Sequence, residues 1–295
     1  MTDRTQAPAG IFPPLTTPFD AAGDIAPLQF RQNIERLLAQ GVNGVVVSGS
    51  TGEAALLDAD EQRGLVAIAR EAMSNGGWLI AGTGGESTRE TIALSRAAAA
   101  AGADAVLVRP PSYYSAALTP ATLALHFRAV ADASPVPVIV YNIPKYTHLA
   151  LAPALLQELA SHERIIGVKD SSGDPKSVAA YRAAVPQWAV LVGGASLLLH
   201  ALELGCQGGI IGVACYAPAL CVQLVREFEQ GHRDKAAALQ ERITPPDKEI
   251  VGKLGPAGVK AAMDAVGLHG GPPRPPLAPL SAADRERVSA LVRGD

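Results

Sequence analysis

The chain has 295 residues, of which 48% are hydrophobic and 18% charged, and its formal net charge at pH 7 is -3. A near-neutral charge without a basic cluster argues against nucleic-acid binding. The first residues contain no apolar core of signal-peptide length, and no apolar run reaches the roughly 18 residues that a transmembrane helix needs. We therefore expect an enzyme of the cytoplasm.

The cysteines and histidines suggest neither disulfides nor a metal site. Cys206, Cys215 and Cys221 are an odd number without CxxC spacing, so we expect reduced thiols in or near the core. The histidines are scattered and form no HExxH pair or similar ligand motif. We accordingly expect no bound metal.

Short apolar segments rich in β-branched residues recur along the chain and predict strands. The first, "IFPPLTTPF" (11–19), is the weakest because its prolines disfavour a strand. The other seven are "GVVVSGS" (44–50), "WLIAGTG" (78–84), "AVLVRPP" (105–111), "VPVIVYNIP" (136–144), "IIGVKDS" (165–171), "AVLVGG" (189–194) and "GGIIGVA" (208–214).

The segments between these strands have apolar residues at helical spacing, as in "PLQFRQNIERLLAQG" and "STRETIALSRAAAAAG". Several end at a glycine, the expected helix stop, at Gly41, Gly102 and Gly205. Eight alternating β and α units predict an α/β fold of the (β/α)8 TIM-barrel type. An open doubly wound sheet would more often carry a GxGxxG loop after its first strand, and none is present.

The barrel pattern covers residues 1–216, and the remainder is a different kind of sequence. Residues 217–295 begin with the helical "PALCVQLVREFEQGHRDKAAALQERI" and include "GGPPRPPLAPL" (270–280), an expected extended connector before a last short helix. We expect this C-terminal helical extension to pack as part of the same domain.

Polar residues collect where the predicted strands end. These ends read "SGSTGE", "GTGGES", "RPPSYY", "YNIP", "KDSSG" and "GGAS", with glycines, hydroxyls, tyrosines and one lysine. Because the chemistry of (β/α)8 barrels takes place at the C-terminal ends of the strands, we expect the active site there.

The lysine lies in "RIIGVKDSSGD", an apolar run typical of a buried strand. Side chains alternate along a strand, so Lys169 shares a face with Gly167 and Ser171, whereas Ile166 and Val168 face the other way. A buried ammonium is costly, and desolvation favours the neutral amine. A neutral lysine amine attacks carbonyl carbon and forms a Schiff base. The alternative is a lysine at an exposed strand end, solvated or paired with its neighbouring aspartate.

Two other groups fit Schiff-base chemistry. Tyr141 ends the preceding strand, so its phenol could exchange a proton with the amine or with its carbonyl adduct. In "GSTGE" (49–53), the hydroxyls of Ser50 and Thr51 and the backbone N–H groups could cradle a carboxylate. This turn lacks the lysine of a phosphate-binding P-loop. Together with Lys169, these residues describe a site for a small α-keto acid.

With "GSTGE", "PPSYY", "YNIP" and "GVKDSSGD" in this order, the chain resembles the Schiff-base aldolase superfamily of dihydrodipicolinate synthase and N-acetylneuraminate lyase. The resemblance implies that Lys169 forms the imine with pyruvate and that Tyr141 donates and accepts the proton. It also implies that Ser50 and Thr51 hold the pyruvoyl carboxylate and help to relay the proton, without a cofactor.

The same resemblance extends to further residues and to the assembly. Tyr114 matches a tyrosine that many dihydrodipicolinate synthases contribute across a subunit interface. The main chain of Ile210 matches a wall of the pyruvate pocket. We also expect Ser171 and Gly193, at the ends of the sixth and seventh strands, to bind the substrate. The expected assembly is a homotetramer, built as a dimer of dimers.

One departure bears on the substrate. Dihydrodipicolinate synthases usually read YNxPxRT, where the arginine binds the carboxylate of the second substrate. Here the segment is "YNIPKYTH", with Tyr146 in the place of the arginine, and the adjacent Lys145 would project differently.

Three other segments, "GVKDSSGD", "GPAGVKAAMD" and "GGPPRPPL", are more similar to the 4-hydroxy-2-oxoglutarate aldolase branch, which produces pyruvate and glyoxylate. A keto-deoxy-sugar-acid aldolase and 4-hydroxy-tetrahydrodipicolinate synthase are the alternatives within the superfamily.

Two readings from other classes stay open. "GGAS" after the seventh strand precedes a helix and is similar to a phosphate cradle, although no positive charge lies beside it in sequence. A metal-dependent or phosphate-binding barrel is thus one rival. A catalytically silent barrel is the other, but Lys169, Tyr141 and the hydroxyl pair would then have no reason to occur together.

Overall fold

Eight parallel strands form the centre of the computed structural model, which describes residues 7–73 and 76–293. The strands are β1 (Gly10–Phe12), β2 (Gly44–Val47), β3 (Trp78–Gly82), β4 (Ala105–Val108), β5 (Val138–Asn142), β6 (Ile165–Asp170), β7 (Ala189–Val192) and β8 (Gly208–Ile210). Seven of the predicted segments contain a whole strand, and the first (11–19) overlaps β1 only at residues 11 and 12.

Helices alternate with the strands and continue after the last one. Those up to β8 are α1 (Pro27–Leu38), α2 (Ala59–Ala72), α3 (Thr88–Ala100), α4 (Pro120–Ala133), α5 (Pro144–Thr147), α6 (Pro153–Leu159), α7 (Pro175–Ala184) and α8 (Leu198–Glu203). After β8 come α9 (Pro218–Glu229), α10 (Arg233–Pro246), a π-helical segment (Asp247–Leu254), α11 (Gly255–Ala265) and α12 (Ala282–Arg293).

The sheet closes on itself. Its order is β1-β8-β7-β6-β5-β4-β3-β2, and the two edge strands are joined by backbone hydrogen bonds from Leu15 N to Val46 O (2.8 Å) and from Val46 N to Pro13 O (3.0 Å). β1 ends at Phe12 because Pro13 and Pro14 have no N–H to donate to a ladder. The predicted (β/α)8 barrel is confirmed.

Residues that face the barrel interior form one apolar cluster, and residues on the outer face pack under the helices. Val168 belongs to the outer cluster, as its alternation predicts. Ile166 packs against the inner cluster, so its predicted orientation is wrong. The cause is a bulge in β6: Val138 pairs with Ile165 and the next residue of β5 pairs with Gly167, which leaves Ile166 unpaired.

The predicted helix stops and the C-terminal helices are confirmed. Gly41, Gly102 and Gly205 follow α1, α3 and α8 with φ of 85°, 105° and 78°, a conformation that favours glycine. Residues 270–280 contain neither helix nor strand and lead into α12. The division at residue 217 stays a prediction. The first helix beyond it, α9, packs against α8 and β1 of the barrel.

The three cysteines are buried and unpaired, in agreement with the expected core thiols. Among the residues that the structure describes, no helix combines the length and the apolar character needed to cross a membrane.

A buried histidine makes the stability of the fold depend on pH. Burial lowers the pKa of His126 in α4 from 6.5 to about 4, although its Nδ1 lies 2.9 Å from Thr88 Oγ1. Because the folded-state pKa lies below the unfolded one, the neutral ring stabilises the fold above pH 6.5, and this contribution is lost as pH falls from 6.5 to about 4.

We expect the free energy of unfolding to fall by about 3 kcal/mol between pH 7 and pH 4 because of His126 alone. The variant His126→Asn should lose this part of the pH dependence in urea titrations, since asparagine does not titrate. The exposed His148→Asn is the control and should keep the wild-type slope. Equal slopes for wild type and His126→Asn would contradict the prediction.

Candidate active site

Lys169 and Tyr141 meet at the C-terminal ends of β6 and β5, where they are paired in the strand register. The Lys169 Nζ donates to the Tyr141 hydroxyl at 3.1 Å and lies 4.2 Å from the ring centroid. Both side chains are buried, each with 4% of its surface exposed. Lys169 is therefore not a solvated lysine at an exposed strand end.

The other alternative for Lys169 was a pair with Asp170. The Asp170 carboxylate is instead occupied by Asn142 Nδ2 (2.8 Å), the Ser172 amide (3.0 Å) and the Ser172 hydroxyl (2.9 Å). Within residues 7–73 and 76–293, no carboxylate lies within ion-pair distance of Lys169 Nζ. The amine is thus buried beside a phenol and, in this part of the chain, without a counter-charge.

The "GSTGE" turn lies at the end of β2 and presents free backbone donors. Its own hydrogen bonds run from Gly52 N to Gly49 O (3.0 Å) and from Glu53 N to Ser50 O (3.2 Å). In the described part of the chain, the N–H groups of Ser50 and Thr51 have no acceptor. Two adjacent free N–H groups form a concavity suited to a carboxylate.

A buried ion pair fixes this turn from below. Glu53 has φ of 60°, a left-handed conformation that is strained for a glutamate. Its carboxylate pairs with Lys260 Nζ from α11 at 2.5 Å, and these side chains are 0% and 1% exposed. Burial lowers the pKa of Lys260 against the opposing hydrogen bond and charge of Glu53. Lys260 also donates to the Pro272 carbonyl (2.7 Å).

Arg274 adds a second brace between the C-terminal segment and the turn. Its backbone N–H donates to Glu53 Oε2 (2.8 Å), and its guanidinium binds both oxygens of Glu61 (2.6 and 2.7 Å). We did not predict roles for Lys260 or Arg274 from the sequence. A lysine in the apolar "GPAGVKAAMD" was a usable signal, since a buried lysine needs a partner or a function.

A cavity of about 320 Å³ opens at the C-terminal end of the barrel, next to Tyr141 and the "GSTGE" turn. Of the predicted site residues, Tyr141 and Ser50 line it. Arg109, Tyr146 and Leu277 also line it, and the roles of Arg109 and Leu277 were not predicted.

Four further predicted residues, like Lys169 and Thr51, are not among the residues that line this cavity. Ile210 is buried in the inner cluster that includes Tyr141. Ser171 and Gly193 touch each other at the ends of β6 and β7, where a side chain at Gly193 would collide with Ser171 Oγ. Tyr114 is 73% exposed and is not among the residues that line the cavity. Substrate binding by these four residues stays a prediction.

The residues that replace the expected arginine point in different directions. Tyr146 lines the cavity, and burial, with the nearby Tyr141, raises the pKa of its phenol. Lys145 donates its Nζ to the Gly252 carbonyl at 2.7 Å and is not among the lining residues. Lys145 therefore does not supply the missing positive charge to the cavity.

The rival phosphate cradle is occupied by the protein itself. The Asp247 carboxylate accepts a hydrogen bond from the Ser196 amide of "GGAS" at 2.8 Å. Burial raises the pKa of Asp247 despite hydrogen bonds from Ser196 and Ala195. Since this carboxyl group already fills the turn, the geometry argues against phosphate binding there. In the described residues, no three His, Cys, Asp or Glu side chains are grouped to hold a metal.

Comparison with known proteins identifies the family. A sequence model of the dihydrodipicolinate synthetase family matches residues 7–294. The chain belongs to this family. The resemblance seen in the motifs is thereby confirmed, and the chain is an enzyme, a carbon–carbon lyase of the class I aldolase type.

Relatives in this family carry two different enzyme names. A 4-hydroxy-tetrahydrodipicolinate synthase from Exiguobacterium sp. is 36% identical over 284 residues, which cover 96% of each chain. A probable mitochondrial 4-hydroxy-2-oxoglutarate aldolase from Emericella nidulans is 37% identical over an alignment of 302 positions, covering 99% of this chain and 97% of the relative.

Among solved structures, the family member YagE from E. coli K12, a prophage protein in complex with pyruvate, superposes with a TM-score of 0.92. Its sequence is 31% identical, and the match covers 97% of this chain and 98% of YagE.

We expect Lys260→Met to destabilise the protein by about 3–5 kcal/mol, because it leaves the Glu53 carboxylate buried without its cation. The double variant Lys260→Met/Glu53→Gln should regain part of this loss, since no buried charge then remains. Urea unfolding measures both. Lys253→Met, which removes an exposed partner of Glu249, is the control and should change little. A loss of less than about 1 kcal/mol in Lys260→Met would contradict a structural role for the pair.

Proposed function

We propose that the protein is a pyruvate-dependent aldolase in which Lys169 forms a Schiff base with the keto carbon of pyruvate. The observation that carries this proposal is the buried Lys169 amine, 3.1 Å from the Tyr141 hydroxyl and without a carboxylate partner in the described residues. A structural neighbour in the family is in complex with pyruvate, which supports the choice of keto acid.

The proposed chemistry uses only side chains of this chain and water. The Lys169 amine adds to C2 of pyruvate, and Tyr141 protonates the carbinolamine oxygen so that it leaves as water. The Tyr141 phenolate then takes a methyl proton, which converts the imine to an enamine. The enamine carbon attacks the aldehyde carbon while Tyr141 returns this proton to the aldehyde oxygen. Hydrolysis of the product imine returns the free amine, and cleavage follows the same steps in reverse.

The pyruvoyl carboxylate would lie on the "GSTGE" turn. Ser50 and Thr51 each offer a hydroxyl and a free N–H there, and Ser50 lines the same cavity as Tyr141. Charge-assisted hydrogen bonds from backbone N–H groups are among the stronger ones available to a carboxylate. The Glu53–Lys260 pair would keep this turn in position.

For the aldehyde partner we propose glyoxylate, so that the substrate of the cleavage reaction is 4-hydroxy-2-oxoglutarate. In support, Tyr146 lines the cavity where dihydrodipicolinate synthases usually have an arginine, and Lys145 is directed to Gly252. The relative from Emericella nidulans carries the corresponding name.

A second candidate is 4-hydroxy-tetrahydrodipicolinate synthase. It is favoured by relatives of that name at 36% and 37% identity. A keto-deoxy-sugar-acid aldolase is a third candidate. Parallel assays of glyoxylate release from 4-hydroxy-2-oxoglutarate and of 4-hydroxy-tetrahydrodipicolinate formation separate the first two candidates by their kcat/KM.

We also propose a homotetramer located in the cytoplasm. Tyr113 and Tyr114 are 80% and 73% exposed, and their rings contact each other edge to face with centroids 4.9 Å apart. Such an exposed aromatic pair is suited to an interface between subunits.

The proposal is tested without knowledge of the aldehyde by following exchange of the pyruvate methyl protons with deuterium in NMR spectra. Lys169→Ala should show only the uncatalysed exchange, since no enamine forms. Tyr141→Phe should slow the exchange by about 10²-fold, the usual scale for loss of a positioned acid or base. Both variants should melt like the wild type. Catalysed exchange by Lys169→Ala at the wild-type rate would contradict the proposal.

A further inference from the structure

Arg109 is the first residue after β4, and the strand register places it beside the reactive pair. Val108 of β4 pairs with Val140 of β5, so Arg109 comes level with Tyr141, which pairs in turn with Lys169 of β6. Val108 packs in the outer cluster, and alternation therefore directs the next side chain inward. In agreement, Arg109 lines the cavity together with Tyr141 and Ser50.

The guanidinium of Arg109 has more donors than the protein uses. Its Nη1 donates to the Pro110 carbonyl at 3.0 Å and forms an ion pair with Glu86 Oε1 at 2.9 Å. A guanidinium has five N–H donors. Over residues 7–73 and 76–293, neither Nε nor Nη2 has an acceptor. These two atoms form one edge of the guanidinium, the edge that binds a carboxylate through two parallel hydrogen bonds.

Glu86 holds Arg109 in place but has no capacity to bind that second edge. Its carboxylate also accepts hydrogen bonds from the Ser112 amide (2.9 Å), the Ser112 hydroxyl (2.8 Å) and the Tyr113 amide (2.9 Å). Burial opposes ionisation of Glu86, yet these bonds and Arg109 outweigh it and lower the pKa of Glu86 to about 2. Three hydrogen bonds and the ion pair with Arg109 Nη1 thus occupy the two carboxylate oxygens.

The stem of Arg109 crosses a glycine at the end of β3. A side-chain carbon at Gly84 would lie 2.5 Å from Arg109 Cγ and 2.8 Å from Arg109 N. Only glycine leaves this passage open. The arginine is thus packed along its stem, bonded on one edge, and one quarter exposed (25%) where it borders the cavity.

From these contacts we infer that Arg109 binds the carboxylate of the aldehyde partner, and that this partner is an aldehyde acid. The inference rests on the proposed function. It assigns the acceptor carboxylate to the end of β4, whereas the pyruvoyl carboxylate lies on the "GSTGE" turn after β2. The Cα atoms of Arg109 and Lys169 are two strands apart, about 10 Å, a distance that a long arginine and a short aldehyde acid can span.

The test compares glyoxylate with glycolaldehyde, two aldehydes of similar size of which only glyoxylate carries a carboxylate. Wild type should have the higher kcat/KM for glyoxylate. Arg109→Met keeps the stem and removes the charge, so the ratio of the two kcat/KM values should fall about 10- to 100-fold, the usual value of a hydrogen-bonded charge pair. Arg109→Lys should restore the ratio only in part.

Exchange of the pyruvate methyl protons, measured on the same samples, separates this inference from the proposed function. In Arg109→Met the exchange should continue at the wild-type rate. A wild type without catalysed exchange would contradict the proposed function itself. A wild type that exchanges these protons but does not prefer glyoxylate, or uses neither aldehyde, would overturn the inference alone.

Two controls exclude a purely structural role for Arg109. Arg128→Met removes an arginine that pairs with Glu158 away from the cavity and should leave the ratio unchanged. The second control is methyl exchange by Arg109→Met, because a disturbed fold around Lys169 and Tyr141 would slow this half-reaction as well. If Arg128→Met lowered the ratio as much as Arg109→Met, or if Arg109→Met slowed methyl exchange as much as it lowered the ratio, Arg109 would not be the acceptor site.

Discussion

The burial of the Lys169 amine without a counter-charge is the constraint on which the rest of the site depends. Two lysines are deeply buried in the described part of the chain, and they differ in their partners. Lys260 is neutralised by Glu53 at 2.5 Å and serves the structure. Lys169 has only the Tyr141 phenol, at 3.1 Å. Because no carboxylate of the described residues pairs with it, the Lys169 amine is free to react with a carbonyl carbon, as the proposed Schiff base requires.

The surroundings of Lys169 are arranged so that this property is retained. On the outer side of β5 and β6, Asn142 binds the carboxylate of Asp170, the neighbour of Lys169 in sequence. On the other side of the barrel mouth, Lys260 and Arg274 come from the C-terminal segment and fix Glu53 of the "GSTGE" turn. The C-terminal segment thus braces the candidate active site of the barrel, and Leu277 forms part of the cavity wall.

The sequence predicted those features that depend on strand periodicity. The β-branched runs located the eight strands. Alternation indicated the face of Lys169, and the order of the strands placed Tyr141 on the neighbouring strand. It could not reveal the bulge that turns Ile166 inward, because a bulge depends on the pairing of two strands. Nor could it reveal that Lys145 bonds Gly252, that Lys260 reaches Glu53, or that Asp247 fills the "GGAS" turn. These contacts join residues more than 40 positions apart and depend on tertiary packing.

The most direct test of the account is reduction with borohydride in the presence of pyruvate, followed by mass spectrometry of the peptides. The account predicts a reduced pyruvoyl adduct on the peptide with Lys169 and none on the peptide with Lys260, which is equally buried but ion-paired. The adduct should be absent in Lys169→Ala. A folded wild-type protein without an adduct, or with the adduct on another lysine, would contradict the account.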